Sequence, residues 1–274
     1  MKKFKSLFNN YDLTLKKVMG LAVLSAIYTA IMCIIPFTKD TSFRDIGINF
    51  ECWIVLAIFI INNSKTAKQA VIYTFLFFLI SQPLIYLIQV PFSNEGFNIF
   101  RHYGYWFIWT LLTIPGSLIA YQLKRKNLIS VFILSVAVAF LGYMAATYVR
   151  SAIYSFPNHL LSSLFCIVSS IMLCEVLFEK RTYKIIIIIV LIISVISTYV
   201  LNSFDESKYI EITSNNATYT IEDEGLVNIC VKDNKLLISP IKDGYTFVEV
   251  NDGNVKTTYY VTVSGGKVFV NIFD

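Results

Sequence analysis

Residues able to do chemistry are few in this 274-residue chain, and they are scattered. His102 and His159 are the two histidines. Neither belongs to an HExxH helix, no G-x-S-x-G elbow is present, and no glycine-rich phosphate loop sits on a strand-to-helix turn. Ser117 follows Gly116, but nothing downstream supplies a buried base. Cys33, Cys52, Cys166 and Cys174 lie in apolar runs and Cys230 stands alone, so no CxxC pair points to zinc or to a disulfide framework. The expectation is a non-enzymatic chain with no catalytic residue, no metal and no cofactor.

Polar side chains inside apolar runs carry more information. "FRDIGINFECW" (43–53) places Arg44, Asp45 and Glu51 where a hydrophobic run begins. At ~1.5 Å per residue, Glu51 lies roughly 7–8 Å past Ile46, shallow enough for a carboxylate to stay near water. The helix N-terminus there also favours negative charge. A charged helix entrance is one reading. The sharper one turns Glu51 toward a bundle, pairing it with Arg101 or Arg150 to close a mouth or hold a cationic solute.

"SQP" holds Gln82 before Pro83, and "TIPGS" holds Thr113 before Pro115, each near the middle of an apolar run. Proline frees a backbone carbonyl, so both helices are expected to kink at similar depth. Paired breaks of this kind line transporter sites, while plain packing kinks are the simpler reading. The segment 91–106, "PFSNEGFNIFRHYGYW", mixes Phe92, Phe97 and Phe100 with Glu95, Arg101 and His102. Together with Arg150 and His159 it forms either a solute vestibule or a headgroup-level seal.

The elements that must position these residues follow from composition. The chain is 56% hydrophobic and 15% charged, with a mean hydropathy of +0.63, which is too apolar for a soluble protein of this length. Seven spans are expected: Val18–Phe37, Ile46–Asn62, Ala70–Val90, Tyr105–Gln122, Leu128–Tyr148, Leu160–Phe178 and Ile185–Leu201. The first follows a basic N-terminus but lacks a small-x-small cleavage site, and Met32 is too large for a lipoprotein signal at Cys33. It is expected to be retained.

Alternate connections hold thirteen Lys or Arg residues against four. The thirteen include Lys2, Lys16, Lys65, Lys124 and Lys184; the four are Lys39, Arg44, Arg101 and Arg150. That bias sets the N-terminus inside and the C-terminus outside the cell. These basic residues sit in short loops and form no stripe, so no nucleic acid partner is expected. The bilayer is the expected environment. Ala22, Ala26 and Ala30 form a small-residue ridge, for packing within the chain or against a membrane partner. "IIIIIVLIISVIS" is apolar all round and belongs at a bundle edge.

After Ser203 the balance reverses. Up to that residue there are 17 basic and 7 acidic side chains; beyond it there are 6 and 11. A transmembrane all-α domain (1–203) is thus expected to precede a small extracellular all-β domain (204–274). In "NVKTTYYVTV" Val255, Thr257, Tyr259, Val261 and Val263 alternate with polar residues, and Val268, Val270 and Ile272 repeat the pattern, as do Val227, Ile229 and Val231. Asp233-Asn234, Asp243-Gly244, Asp252-Gly253 and Gly265-Gly266 mark the turns. Six or seven short strands at this spacing read as a small sandwich.

"LVNICVKDNKLLISPIKDG", "YTFVEV", the "NDG" turn and the closing "YYVTV" resemble the bacterial immunoglobulin-like domains of Gram-positive cell-surface proteins. The likeness covers about a quarter of the chain. It implies a spacer or adhesive module facing a cell-envelope protein or polysaccharide, on a protein of the bacterial plasma membrane. The first six spans resemble polytopic membrane proteins of low-GC Gram-positive bacteria. They are more weakly similar to substrate-binding subunits of energy-coupling-factor transporters, through helix number and the ridge at Ala22, Ala26 and Ala30. That second likeness implies a solute site between the third and fourth spans; the seventh span and the β domain depart from it.

Overall fold

The computed structural model describes residues 8, 11–154, 156–203, 208–212, 218–232, 235–252 and 255–273. Two compact units divide the chain: Met1–Ala145 with Leu164–Val195, and Ala146–Ser163 with Ile196–Asp274. The helices are α1 (Leu15–Ile34), α2 (Ser42–Ile48), α3 (Phe50–Asn63), α4 (Ala67–Gln89), α5 (Tyr103–Ala120), α6 (Leu128–Tyr154), α7 (Leu160–Leu177) and α8 (Arg181–Ser203). Among the described residues, six stretches are long and apolar enough to cross a membrane: Leu15–Ile34, Ala67–Phe92, Gly96–Arg125, Leu128–Ile153, Leu160–Leu177 and Arg181–Leu201.

The expected span Ile46–Asn62 is not one straight helix. α2 and α3 meet at a 50° bend, with Asn49 in extended conformation between them. Gly47 and Asn49 are weak helix formers, and the carbonyl exposed by the break is well used. Gly47 O accepts from Thr29 Oγ1 at 2.9 Å and from Trp53 Nε1 at 3.1 Å. A side chain on Gly47 would lie 3.0 Å from the Tyr28 ring, so glycine also permits the close approach to α1. The end of α1 is equally local. Ile35 precedes Pro36, takes an extended ψ of 117°, and stops the helix short of Phe37.

In the first unit α1 packs on α4 through the alanine ridge. Ala22, Ala26 and Ala30 are fully buried and share a core with Trp53, Ile60, Phe77 and Ile85. Methyl-sized side chains let the two backbones approach and let the larger rings interdigitate. At the start of the chain Asn63 accepts from Tyr11 N at 3.0 Å and donates to Phe8 O at 2.7 Å, tying the first residues to the end of α3. The Lys124 ammonium donates to Ser64 O and the Tyr121 hydroxyl to Lys65 O, which joins the α5–α6 connection to the α3–α4 one. Lys2, Lys3 and Lys5 lie outside the described residues.

α8 exposes most of its isoleucines and is seated by a narrow stripe, with Ile187 and Leu191 buried. Ser194 Oγ donates to Ala139 O at 2.6 Å, facing Gly142, where a Cβ would come within 3.0 Å of Ser194. The Lys184 ammonium and the Glu175 carboxylate form an ion pair where α7 leads into α8.

In the second unit seven antiparallel strands form two sheets over one core. They are β1 (Lys208–Glu211), β2 (Thr218–Ile221), β3 (Val227–Lys232), β4 (Lys235–Pro240), β5 (Gly244–Asp252), β6 (Val255–Ser264) and β7 (Lys267–Ile272). The orders are β1-β4-β3 and β2-β5-β6-β7. Ile210, Ile229, Leu236 and Ile238 of the first sheet meet Val248, Val250, Val261, Val263 and Val268 of the second. The alternation predicts the inward Val227, Ile229, Val261, Val263 and Val268, with one exception. Ile272 is exposed, because it lies at the end of β7 beyond the buried Val268 and half-buried Val270.

The β6–β7 turn uses both of its glycines. Gly265 and Gly266 have φ of +58° and +73°, as a tight hairpin turn between the paired Ser264 and Lys267 requires. Asp243 caps it, its carboxylate accepting from Gly265 N at 3.0 Å and Gly266 N at 3.3 Å. The predicted turns Asp233-Asn234 and Asp252-Gly253 fall wholly or partly outside the described residues.

Candidate functional site

Gln82 and His102 come together. A cavity of about 240 Å³ in the first unit is bordered by Gln82, Tyr86 and Gln89 of α4, by His102, and by Trp106 of α5. Thr29 and Cys33 of α1 and Trp53 of α3 also border it, with Ile48, Ile85 and Ile99 as its aliphatic part. Among the described residues no Asp, Glu, Lys or Arg side chain borders it. Thr29 and Gln89 spend their donors on backbone carbonyls, Gly47 O at 2.9 Å and Ile85 O at 3.1 Å. Gln82 differs. Its side chain is 4% exposed, and none of the described residues hydrogen-bonds its carboxamide.

His102 sits exposed at the rim, where its Nε2 accepts from Arg101 Nε at 3.1 Å. Arg101 is paired with Glu95 at 3.2 Å, and both side chains are largely in solvent. Beside them Phe97, Phe100, Tyr103 and Tyr86 pack ring on ring, with centroids 5.7–6.4 Å apart. The segment 96–102 is a 3₁₀ helix leading into α5, which explains how a charged and an aromatic face can coexist in so short a stretch.

Thr113 does not join Gln82. It lies one helix over, at a larger and almost wholly apolar space of about 550 Å³ between α3, α4, α5 and α6. Its hydroxyl donates to Thr110 O at 2.6 Å, and Ser117 donates to Thr113 O at 2.5 Å. Thr74 also borders this space, and its buried hydroxyl has no hydrogen-bond partner. Both Pro83 and Pro115 sit inside continuous helices. The two proline-bearing segments therefore serve separate cavities.

Glu51 is 2% exposed, in the first turn of α3. The expectation of a shallow carboxylate near water is corrected: depth along one helix says nothing of what packs over it, and here protein covers the group. Arg101 is occupied by Glu95, as described above. In the second unit Arg150, near the C-terminal end of α6, is buried and donates from Nη2 to Gly266 O at 3.3 Å, so it meets the β6–β7 turn. His159 stacks on Tyr148 with centroids 6.2 Å apart, again in the second unit.

Trp106 closes the 91–106 segment expected at a vestibule or seal, whereas nothing in the sequence marks Trp53, Tyr86 and Cys33 as site residues. Aromatics and a cysteine in an apolar helix look like packing, and only the meeting of several helices shows that they face a space. Among the described residues no group of three or more His, Cys, Asp or Glu side chains is placed to hold a metal ion. Comparison with family models, curated proteins and solved structures finds no match to this chain.

Proposed function

We propose that this is a non-enzymatic, seven-span protein of a bacterial plasma membrane, N-terminus inside, that presents an extracellular immunoglobulin-like module to envelope polysaccharide. The bent pair α2–α3 supplies the seventh span in this reading. The observation that carries the interaction role is the outward face of the four-stranded sheet. Opposite the buried valines, Tyr245, Phe247, Tyr260 and Phe273 form a chain of rings with centroids 5.0–5.9 Å apart. Tyr245 is 65% exposed and Phe273 57%. A row of exposed rings on a sheet face marks an interaction surface, and flat aromatic faces suit the C–H faces of sugar rings.

Two experiments test this reading. A reporter active only outside the cell should work after Asp274, and one active only inside should work at Lys126; activity of both in the same compartment overturns the topology. The triple variant Tyr245→Ala, Tyr260→Ala, Phe273→Ala should weaken retention on purified cell-wall polysaccharide at least tenfold while the strands stay folded. Unchanged retention overturns the interaction role.

A second reading is favoured by one observation, the enclosed carboxamide of Gln82. It makes the chain a solute-binding membrane component, with the site in the α4–α5 region of the first unit.

A further inference from the structure

The Gln82 side chain is 4% exposed and lines the cavity, so its carboxamide opens onto that space and a bound group there can complete its hydrogen bonds. Gln82 offers a carbonyl acceptor and an NH₂ donor side by side, the arrangement that pairs with any planar edge carrying a donor next to an acceptor. Water can occupy polar cavities, but this space holds more than one or two molecules and two of its walls are indole rings. At an interior packing density of ~0.74, its 240 Å³ admit roughly ten to twelve non-hydrogen atoms.

Charge narrows the class further. With no ionised side chain on the walls, a charged solute would be stripped of water and given no counter-ion, at a cost of several kcal/mol. An aliphatic solute would fill the volume but make less of a lining that includes Trp53, Tyr86 and Trp106. The Gln82 amide supplies both polarities inside, and the His102 ring lies at the rim.

We infer that the cavity around Gln82 binds a neutral, planar nitrogen heterocycle of nucleobase size, paired edge-on with the Gln82 carboxamide among the aromatic side chains of Trp53, Tyr86 and Trp106 that line it. This deepens the solute reading above and rests on it.

The test is equilibrium dialysis of the purified full-length protein in lipid nanodiscs, with uracil and adenine as neutral probes. Orotate serves as the charged analogue of uracil, and propionamide as the aliphatic amide. Uracil or adenine should bind saturably, orotate at least tenfold more weakly, and Gln82→Leu should reduce uracil or adenine binding at least tenfold with an unchanged melting temperature. Should Gln82→Leu not fold, Gln82→Asn, which withdraws the amide by one methylene, is expected to show the same loss. Binding of orotate or propionamide in preference to the bases overturns the ligand class and leaves the solute reading standing. Absence of binding by all four probes, or binding of the bases that ignores Gln82, overturns the inference.

Discussion

Leu236→Asp should abolish folding of the strands. Residues 205–274 expressed alone are expected to give a soluble chain with well-dispersed amide shifts, and the same segment carrying Leu236→Asp is expected to give the collapsed dispersion of a disordered chain. Leu236 is fully buried in β4, paired with Ile210 of β1 on one side and Val231 of β3 on the other. Removing its side chain alone would cost about 2–5 kcal/mol, and an unpaired buried carboxylate adds several more. A core of this size holds only about 3–5 kcal/mol in total. The loss exceeds what the unit has. A dispersed spectrum from the variant would mean that Leu236 does not lie in the core, and a disordered wild-type segment would mean that the strands need the helices to fold.

The second large effect is expected at Ala26. Leucine there adds three carbons at a fully buried position where α1 meets α4. Overpacking costs typically 1–3 kcal/mol in adaptable cores, and the upper end applies where a small residue sets the distance between two backbones. Helix association inside lipid also lacks the hydrophobic effect as a reserve, so packing loss falls directly on stability. Ala26→Leu should lower the melting temperature of the purified protein sharply and reduce its folded yield. Leu24→Ala, at a position 67% exposed on the same helix, should change stability by less than about 0.5 kcal/mol. Equal melting temperatures for the two variants would refute the ridge as the α1–α4 contact.

Much of this architecture can be read from local pattern. Hydropathy over twenty residues is a property of the segment itself, so the long spans and the apolar girth of α8 follow directly. Strand alternation likewise predicts the inward valines of β5 and β6, since the period of two admits only one buried face. Failures begin where neighbours decide. The 46–62 run is predominantly apolar, and the break at Asn49 depends on Thr29 and Trp53 being at hand to donate to the freed Gly47 carbonyl. Glu51 looks shallow by counting along its helix, yet burial is set by what lies over it. Gln82 and Thr113 were grouped by depth, but depth ignores rotation about the helix axis, and rotation sends them to different spaces. Gln82 was legible as a site residue because a carboxamide in an apolar helix is unusual. Its aromatic surroundings were not, because Trp53 and Trp106 belong to other helices.

The placement of the indoles has a practical consequence. The chain has three tryptophans, and all three border the two cavities: Trp106 the smaller, Trp109 the larger, and Trp53 both. Excited at the long-wavelength edge, where tyrosine does not absorb, the indole emission therefore comes from residues at these spaces, with none from the β strands or from α6–α8. Trp53→Phe removes the shared emitter and leaves one reporter per cavity. Filling of either space can then be followed by quenching and spectral shift in the unlabelled protein, each against the other as its internal reference.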